Sequence, residues 1–319
     1  MTFLSDSALE RLREAADQPD LSGTRYRLLE KLGQGGMGGV FRVKDSTLER
    51  EVALKVINIA DPGLSARLLQ EARVIAKLEH PGIVPVHDSG MLEDGRPYYT
   101  MKLVQGESLD ELAEEIGSIA DLLRTFLRIC EPVAFAHAHS VLHRDLKPAN
   151  IMIGPFGEVL VMDWGLSKLL AGTAASDPLS EIGTSNGTSV SLGTAHGSVL
   201  GTPGYMAPEQ RDGESVDPRV DVYSLGAMLE FLFKFMPGVP APLAAICRKA
   251  KAEDRSERYA SVTDLSNDVA KFLDGLPVSV YREGFLARAS RWIRRNRTWI
   301  LLLLAYVVMR VLLIIFRPR

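Results

Sequence analysis

From Tyr26 to Ile59, YRLLEKLGQGGMGGVFRVKDSTLEREVALKVINI, apolar and polar residues alternate with a period of two. Glycines and a polar turn at Lys44 to Glu51 interrupt the run, so the pattern predicts three antiparallel strands. The period then lengthens. SARLLQEARVIAKLEH, residues 65 to 80, carries apolar side chains at helical spacing and ends in HPG, which predicts one helix, and IVPVHDSGML and RPYYTMKLV add two more strands. Residues 26–105 thus read as a small β-rich lobe with a single helix. From Ser108 onward helices dominate, and ADLLRTFLRICEPVAFAHAHS predicts a long core helix for a second, larger lobe over 106–274. Residues 215 to 274 are again helical in pattern. Gly172 to Gly201 is rich in Ser, Thr, Gly and Ala with little aliphatic content, which predicts a long loop. The expected class is α+β in two lobes.

The ends depart from this pattern. MTFLSDSALERLREAADQ is polar, so residues 1–25 read as a helical segment with a cap and not as a cleavable signal. WILLLLAYVVMRVLLIIF, residues 299–316, is broken only by Arg310 and would extend roughly 27 Å as a helix, which predicts a transmembrane span. Arg310 is expected to snorkel toward the near interface. Residues 275–298 form a basic juxtamembrane linker with Arg288, Arg291, Arg294, Arg295 and Arg297, while Trp292 and Trp299 suit the interface. The positive-inside rule puts that side in the cytoplasm, so the expectation is a single-pass protein of the cell membrane with both lobes cytoplasmic. Residues 317–319 are a short tail that offers nothing to bind an external ligand.

Composition changes the picture little. The 319 residues are 46% hydrophobic and 24% charged, which is globular, and 37 basic against 40 acidic residues give a net charge of -3. No global positive field marks nucleic acid as a partner. Cys130 and Cys247 lack metal spacing and read as reduced, buried thiols.

Four stretches carry chemistry. In GQGGMGGV, Gly33, Gly35, Gly38 and Val40 satisfy G-x-G-x-x-G-x-V. A dinucleotide loop needs a helix directly after its glycines, whereas FRVKD continues as a strand, so a hairpin whose bare backbone covers phosphates is expected. In EVALKVI, alternation puts Val52, Leu54 and Val56 on one face and Ala53 with Lys55 on the other. Ala53 leaves room for a flat ring, and Glu71 on the following helix is placed to pair with Lys55 and hold its ammonium for polyphosphate oxygens. HRDLKPAN sets Asp145 and Asn150 five residues apart in a loop before the apolar hairpin IMIGPFGEVLVM, and Asp163 follows in DWG. Asn150 and Asp163 suit Mg²⁺ as oxygen ligands. Asp145 is left to take a proton from a hydroxyl, and Lys147 to offset charge on the group transferred.

Taken in order, GQGGMGGV, VALK, Glu71, HRDLKPAN, DWG and GTPGYMAPE resemble the eukaryotic-like, Hanks-type serine/threonine protein kinases of bacteria, from about Tyr26 to Asp274. That resemblance implies ATP and Mg²⁺ as cofactors and proteins, the chain itself among them, as substrates. It implies that Lys55 holds the α- and β-phosphates, that Glu71 pairs with it, that Asp145 is the base and that Asn150 and Asp163 bind magnesium. Met101 falls at the gatekeeper position, the backbone of Val104 should meet adenine, and Val40, Ala53 and Met152 should sandwich the ring. Glu209 would pair with Arg258, and Asp221 would brace the catalytic loop. Arg144 implies activation by a phosphate on the loop 163–209, for which Thr194 is the first candidate, followed by Ser198 and Thr188; Thr202 would contact the catalytic aspartate instead.

Several positions depart from the family. Trp164 replaces phenylalanine in DFG, Lys102 stands where glutamate is common in the hinge, and residues 228–257 are shortened, lacking most of a helix that helps dock protein substrates. With no external sensor after the membrane helix, regulation is expected from a homodimer formed in the lipid bilayer or from cytoplasmic partners. Two readings compete with an active protein kinase: an ATP-binding scaffold with negligible turnover, and phosphotransfer to a small molecule. GTPGYMAPE behind a Ser/Thr-rich loop argues against the latter.

Overall fold

The structure, a computed structural model, describes residues 18–35, 38–57, 62–164, 204–282, 284 and 297–315. An N-terminal lobe is built on a five-stranded antiparallel sheet in the order β1-β2-β3-β5-β4. Its strands are β1 (Tyr26–Gly35), β2 (Gly38–Asp45), β3 (Arg50–Ile57), β4 (Val86–Met91) and β5 (Pro97–Lys102). Alternation sorts the two faces as the sequence predicts. Val52, Leu54 and Val56 join Tyr26, Phe41, Val43, Leu92 and Tyr98 in one buried cluster. Ala53, Ile57, Tyr99 and Met101 look the other way, into a core shared with helix α1 (Pro62–Ile75) and the second lobe.

Helix α1 ends five residues before the predicted boundary. Lys77 N–H bonds to Val74 O at 3.1 Å and Leu78 N–H to Ile75 O at 2.9 Å, i to i−3 contacts that wind the last turn into a tighter coil. The HPG that follows does more than stop a helix. A Cβ on Gly82 would lie 3.0 Å from Pro132 Cγ, so the glycine lets this turn press against the second lobe. There Val161 N–H bonds to Gly82 O at 2.8 Å, tying the lobes together through backbone.

The second lobe is helical around α3 (Ile119–Ala138), which follows the single turn α2 (Leu109–Leu112). Leu122, Leu123, Phe126, Ile129, Cys130, Val133 and Ala136 form its buried stripe, at the spacing that marks an amphipathic helix. After the turn α4 (Pro208–Arg211) comes α5 (Arg219–Phe233), buried on nearly every side and hence central, then α6 (Ala241–Ala250) and α7 (Val262–Leu273). Lys234–Pro240 joins α5 to α6. A small sheet of β6 (Glu107–Ser108), β7 (Ile151–Ile153) and β8 (Val159–Val161) carries the expected hairpin, with β6 an addition the sequence did not announce. Both cysteines are free and buried.

Buried polar side chains lock this lobe. Arg258 reaches Glu209 with two bonds of 2.6 and 2.8 Å, and its remaining donors go to the carbonyls of Arg219, Ala252 and Glu253. Asp268, also buried, accepts from Tyr259 Oη and from the backbone and hydroxyl of Ser279. With Val278 buried beside it, the packed fold runs on past Asp274.

Helix α8 (Arg297–Ile315) follows, with Leu301, Leu302, Leu303, Leu304, Val307 and Val308 exposed. Among the described residues no helix is long and apolar enough to cross a membrane. The described side chains of α8 run from Ile300 to Arg310, short of the roughly 20 apolar residues a bilayer requires. The polar segment before residue 18 and Thr188, Thr194, Ser198 and Thr202 lie outside the described residues.

One glycine of the first hairpin is fixed by its surroundings. Gly38 has φ +147°, and a Cβ there would sit 1.9 Å from Val56 O on β3, whereas Gly95, at φ +81°, faces open space. Gly38→Ala should therefore cost about 3 kcal/mol and Gly95→Ala about 1 kcal/mol in urea unfolding; equal losses would contradict the close approach of β2 to β3.

Candidate active site

The HRDLKPAN loop is held open by one carboxylate. Asp221, at the start of α5 and with no exposure, accepts the His143 N–H at Oδ2 (2.8 Å) and the Arg144 N–H at Oδ1 (2.8 Å). His137 Nε2, from the end of α3, adds a contact of 2.7 Å to Oδ2. Burial pushes the Asp221 carboxyl up, but the His137 bond and the charges and backbone N–H around it outweigh this, and its pKa lies below the ordinary range. The loop can thus turn its polar residues outward without leaving its own backbone unsatisfied.

His143 is equally buried and completes the inner wall. Its Nδ1 accepts the Asp145 N–H at 3.2 Å, so Nε2 carries the ring proton and donates it to Met162 O at 2.8 Å. Burial holds this imidazole neutral, with a lowered pKa. Trp164 packs against it, ring centroids 4.8 Å apart, and its indole N–H bonds to Val161 O at 3.1 Å. The tryptophan thus occupies the buried slot expected of an aromatic after Asp163.

On the outer side the polar groups converge. Asn150 donates through Nδ2 to Asp145 O at 2.8 Å and to Asp145 Oδ2 at 3.2 Å, and Lys147 Nζ stands 3.2 Å from the same oxygen. Because Asn150 gives its N–H₂ to Asp145, its carbonyl oxygen points away and remains an oxygen donor. Met162 N–H bonds to Asn150 O at 2.8 Å, which brings Asp163 alongside. Asp163 Oδ1 in turn lies 2.6 Å from Lys55 Nζ, a pair made across the two lobes. Arg144 and Asp163 hold φ of +64° and +51° without being glycine, backbone strain of the kind that fixed networks sustain at reactive sites.

The expected pairing of Lys55 with Glu71 lies outside the described side chains. The backbone of Glu71 lies on α1, but its side chain is outside the described residues, and the ion pair on view is with Asp163. Above the cleft, Gly35 pairs with Gly38 at the end of the β1–β2 hairpin and Gly33 sits opposite Val40. Ala53 faces Met101 across β3 and β5, both buried, while Val40, Val104 and Met152 are half-buried at the edge of the same core. Asn150 and Asp163 supply two hard oxygen donors next to a lysine, a set that fits Mg²⁺ completed by phosphate oxygens better than a cage made by protein alone. Among the described residues no three His, Cys, Asp or Glu side chains gather into such a cage.

The family model for the protein kinase domain matches residues 26–279. The chain belongs to the protein kinase family. Its domain is similar to serine/threonine-protein kinase PknD of Protochlamydia amoebophila, 34% identical over 296 residues, 78% of this chain and 30% of that protein. PknD of Chlamydia muridarum is 36% identical over 299 residues (79% and 32%), and PknD of Chlamydia trachomatis 33% over 315 residues (83% and 33%). The chain spans about a third of the length of these curated relatives.

Sequence reasoning missed His137, Tyr99 and Gln210. His137 lies 84 residues from Asp221, and Gln210 reaches Arg144 O at 2.8 Å from 66 residues away, so no local pattern announces either. Tyr99 shares the Ala53 and Lys55 face by alternation in PYYTMK, a signal available only once β5 is known to pair with β3.

Two buried groups set an acid limit. His143 is neutral in the fold, so its contribution is complete above its ordinary value of 6.5 and declines as pH falls below it. Asp221, depressed in the fold, contributes fully above its ordinary 3.8 and loses that contribution as pH drops further. Thermal melts should show Tm easing downward below about pH 6.5 and dropping steeply below about pH 4; a Tm unchanged from pH 7 to 3 would contradict both assignments.

Proposed function

We propose that the chain is an active serine/threonine kinase that moves the γ-phosphoryl group of ATP to hydroxyls of protein substrates, its own loop among them. The observation that carries this reading is the cluster of Asp145, Lys147 and Asn150 on a loop bonded through Asn150 O to Met162, whose neighbour Asp163 pairs with Lys55 across the lobes. Val40, Ala53 and Met152 would sandwich adenine, Met101 would close the back of the slot, and the Val104 backbone would read the ring edge. Gly33, Gly35 and Gly38 leave their backbone bare over the phosphates. Lys55 would hold the α- and β-phosphates and Glu71 would steady it from α1. Asn150 and Asp163 would hold Mg²⁺, which supplies charge neutralisation to the phosphates. Asp145 takes the proton of the attacking hydroxyl, and Lys147, 3.2 Å from it, balances charge on the group in flight.

The test is incubation of the chain with Mg²⁺ and ATP beside Asp145→Asn, followed by mass spectrometry of residues 172 to 202. Phosphate on Thr194, Ser198 or Thr188 in the wild type, falling roughly 10²- to 10⁴-fold in the variant with ATP binding kept, is the expected result. ATP bound without any incorporation would instead favour a scaffold, consistent with the short connection between α5 and α6.

We further infer membrane attachment, with residues 299–316 as a single-pass anchor, the kinase domain in the cytoplasm and helix pairing in the bilayer as a means of bringing two copies together. The exposed leucines and valines of α8 and the arginines of 275–298 support it. The full chain should float with phosphatidylcholine vesicles and stay bound in 1 M salt, an order-of-magnitude excess over the screening of surface charge. Release by salt would leave only an electrostatic contact.

A further inference from the structure

The register of β3 against β5 sets Lys55 directly opposite Tyr99. Directly opposed residues of an antiparallel pair share a face, with Cβ atoms about 5 Å apart. Tyr99 is 4% exposed and packs with Ala53, Ala72, Ile75 and Met101 in the core beneath the sheet, so its hydroxyl cannot be served by bulk water. A tyrosine hydroxyl in such a place requires a polar neighbour. The Lys55 ammonium is that neighbour, with Asp163 just beyond. Burial pushes the Tyr99 hydroxyl up to about 12, so it stays neutral and available as an acceptor. Burial disfavours the Lys55 charge, but the Asp163 carboxylate beside it favours the ammonium, and its pKa lies above the ordinary range.

An ammonium has three donors and no acceptor. One is taken by Asp163 Oδ1, at 2.6 Å. We propose that Tyr99 is a positioning residue for Lys55, accepting a second N–H and so aiming the ammonium at the nucleotide phosphates. An aliphatic side chain at this place would leave a long, flexible lysine held by the ion pair alone, free to turn about it. The inference rests on the kinase reading above and adds to it a residue that none of the six motifs contains.

A double-mutant cycle read by Mg·ATP binding, with calorimetry, tests it without requiring turnover. Tyr99→Phe keeps the ring and removes only the hydroxyl. It should weaken Mg·ATP binding about fivefold in the chain that has Lys55. In a Lys55→Met background it should change the affinity by less than about 1.5-fold, because the hydroxyl has lost its partner. In peptide assays the KM for ATP should rise while the KM for the peptide stays put. An unchanged ATP affinity in the Lys55 chain, or the same loss in both backgrounds, would overturn the proposal, the second by showing a purely structural role. Tyr99→Met, also without a hydroxyl, gives the same comparison if the phenylalanine variant does not fold. A wild type that binds ATP yet phosphorylates nothing would refute the kinase reading and leave this cycle readable.

Discussion

A carboxylate sealed from solvent holds the reactive loop. Asp221 is fully buried, and an isolated charge in such a place would be driven to neutralise. It stays ionised because two backbone N–H groups, at His143 and Arg144, and the His137 ring meet its two oxygens. Those same bonds spend the backbone donors of the loop, which frees Asp145, Lys147 and Asn150 to face the cleft. Helix α5, buried nearly all round, is the rigid support on which this depends. The strained φ of Arg144 is tolerable because Asp221 holds the N–H on one side of it and Gln210 the carbonyl on the other.

From this anchor the network reaches outward in steps. His143 bonds to Met162 O and packs on Trp164, fixing the chain on either side of Asp163. Asp163 crosses to Lys55 on the other lobe, and Lys55 sits opposite Tyr99 on the sheet. Backbone bonds of Val161 with Gly82 and Val84 run beside this route, so neutral links between the lobes accompany the charged one. The sheet itself is placed by packing, since its outer face closes a small separate cluster and its inner face belongs to the main core.

Elsewhere the lobe is stapled by buried ion pairs in which each donor has an acceptor. Arg258 uses its fork on Glu209 and its remaining donors on carbonyls, and removing either partner would leave a charge in the core. Asp268 does the same service for the chain leaving α7, drawing Ser279 and Val278 into the fold. Val278 and Ser279 fall in the segment expected as a basic linker, and the bond that draws them in comes from eleven residues away.

Much of the architecture is legible in the sequence because it follows from local rules. Alternation in EVALKVI sorts Ala53 and Lys55 from Val52, Leu54 and Val56, and the stripe in α3 is readable as a period of 3.6, since each depends only on which side of one element meets water. HRDLKPAN and DWG announce the polar cluster because oxygen donors and a lysine beside an apolar hairpin have little structural reason to be there. What the folded chain alone settles is pairing across distance. The partner of Lys55 on view is Asp163, 108 residues on; Asp221 reaches back to His137 across 84; Tyr99 meets Lys55 only after β5 has passed the intervening helix and β4 to lie beside β3. Such contacts are chosen by the packing of whole elements, in which one residue's burial depends on all the others, and a linear pattern carries no record of that choice.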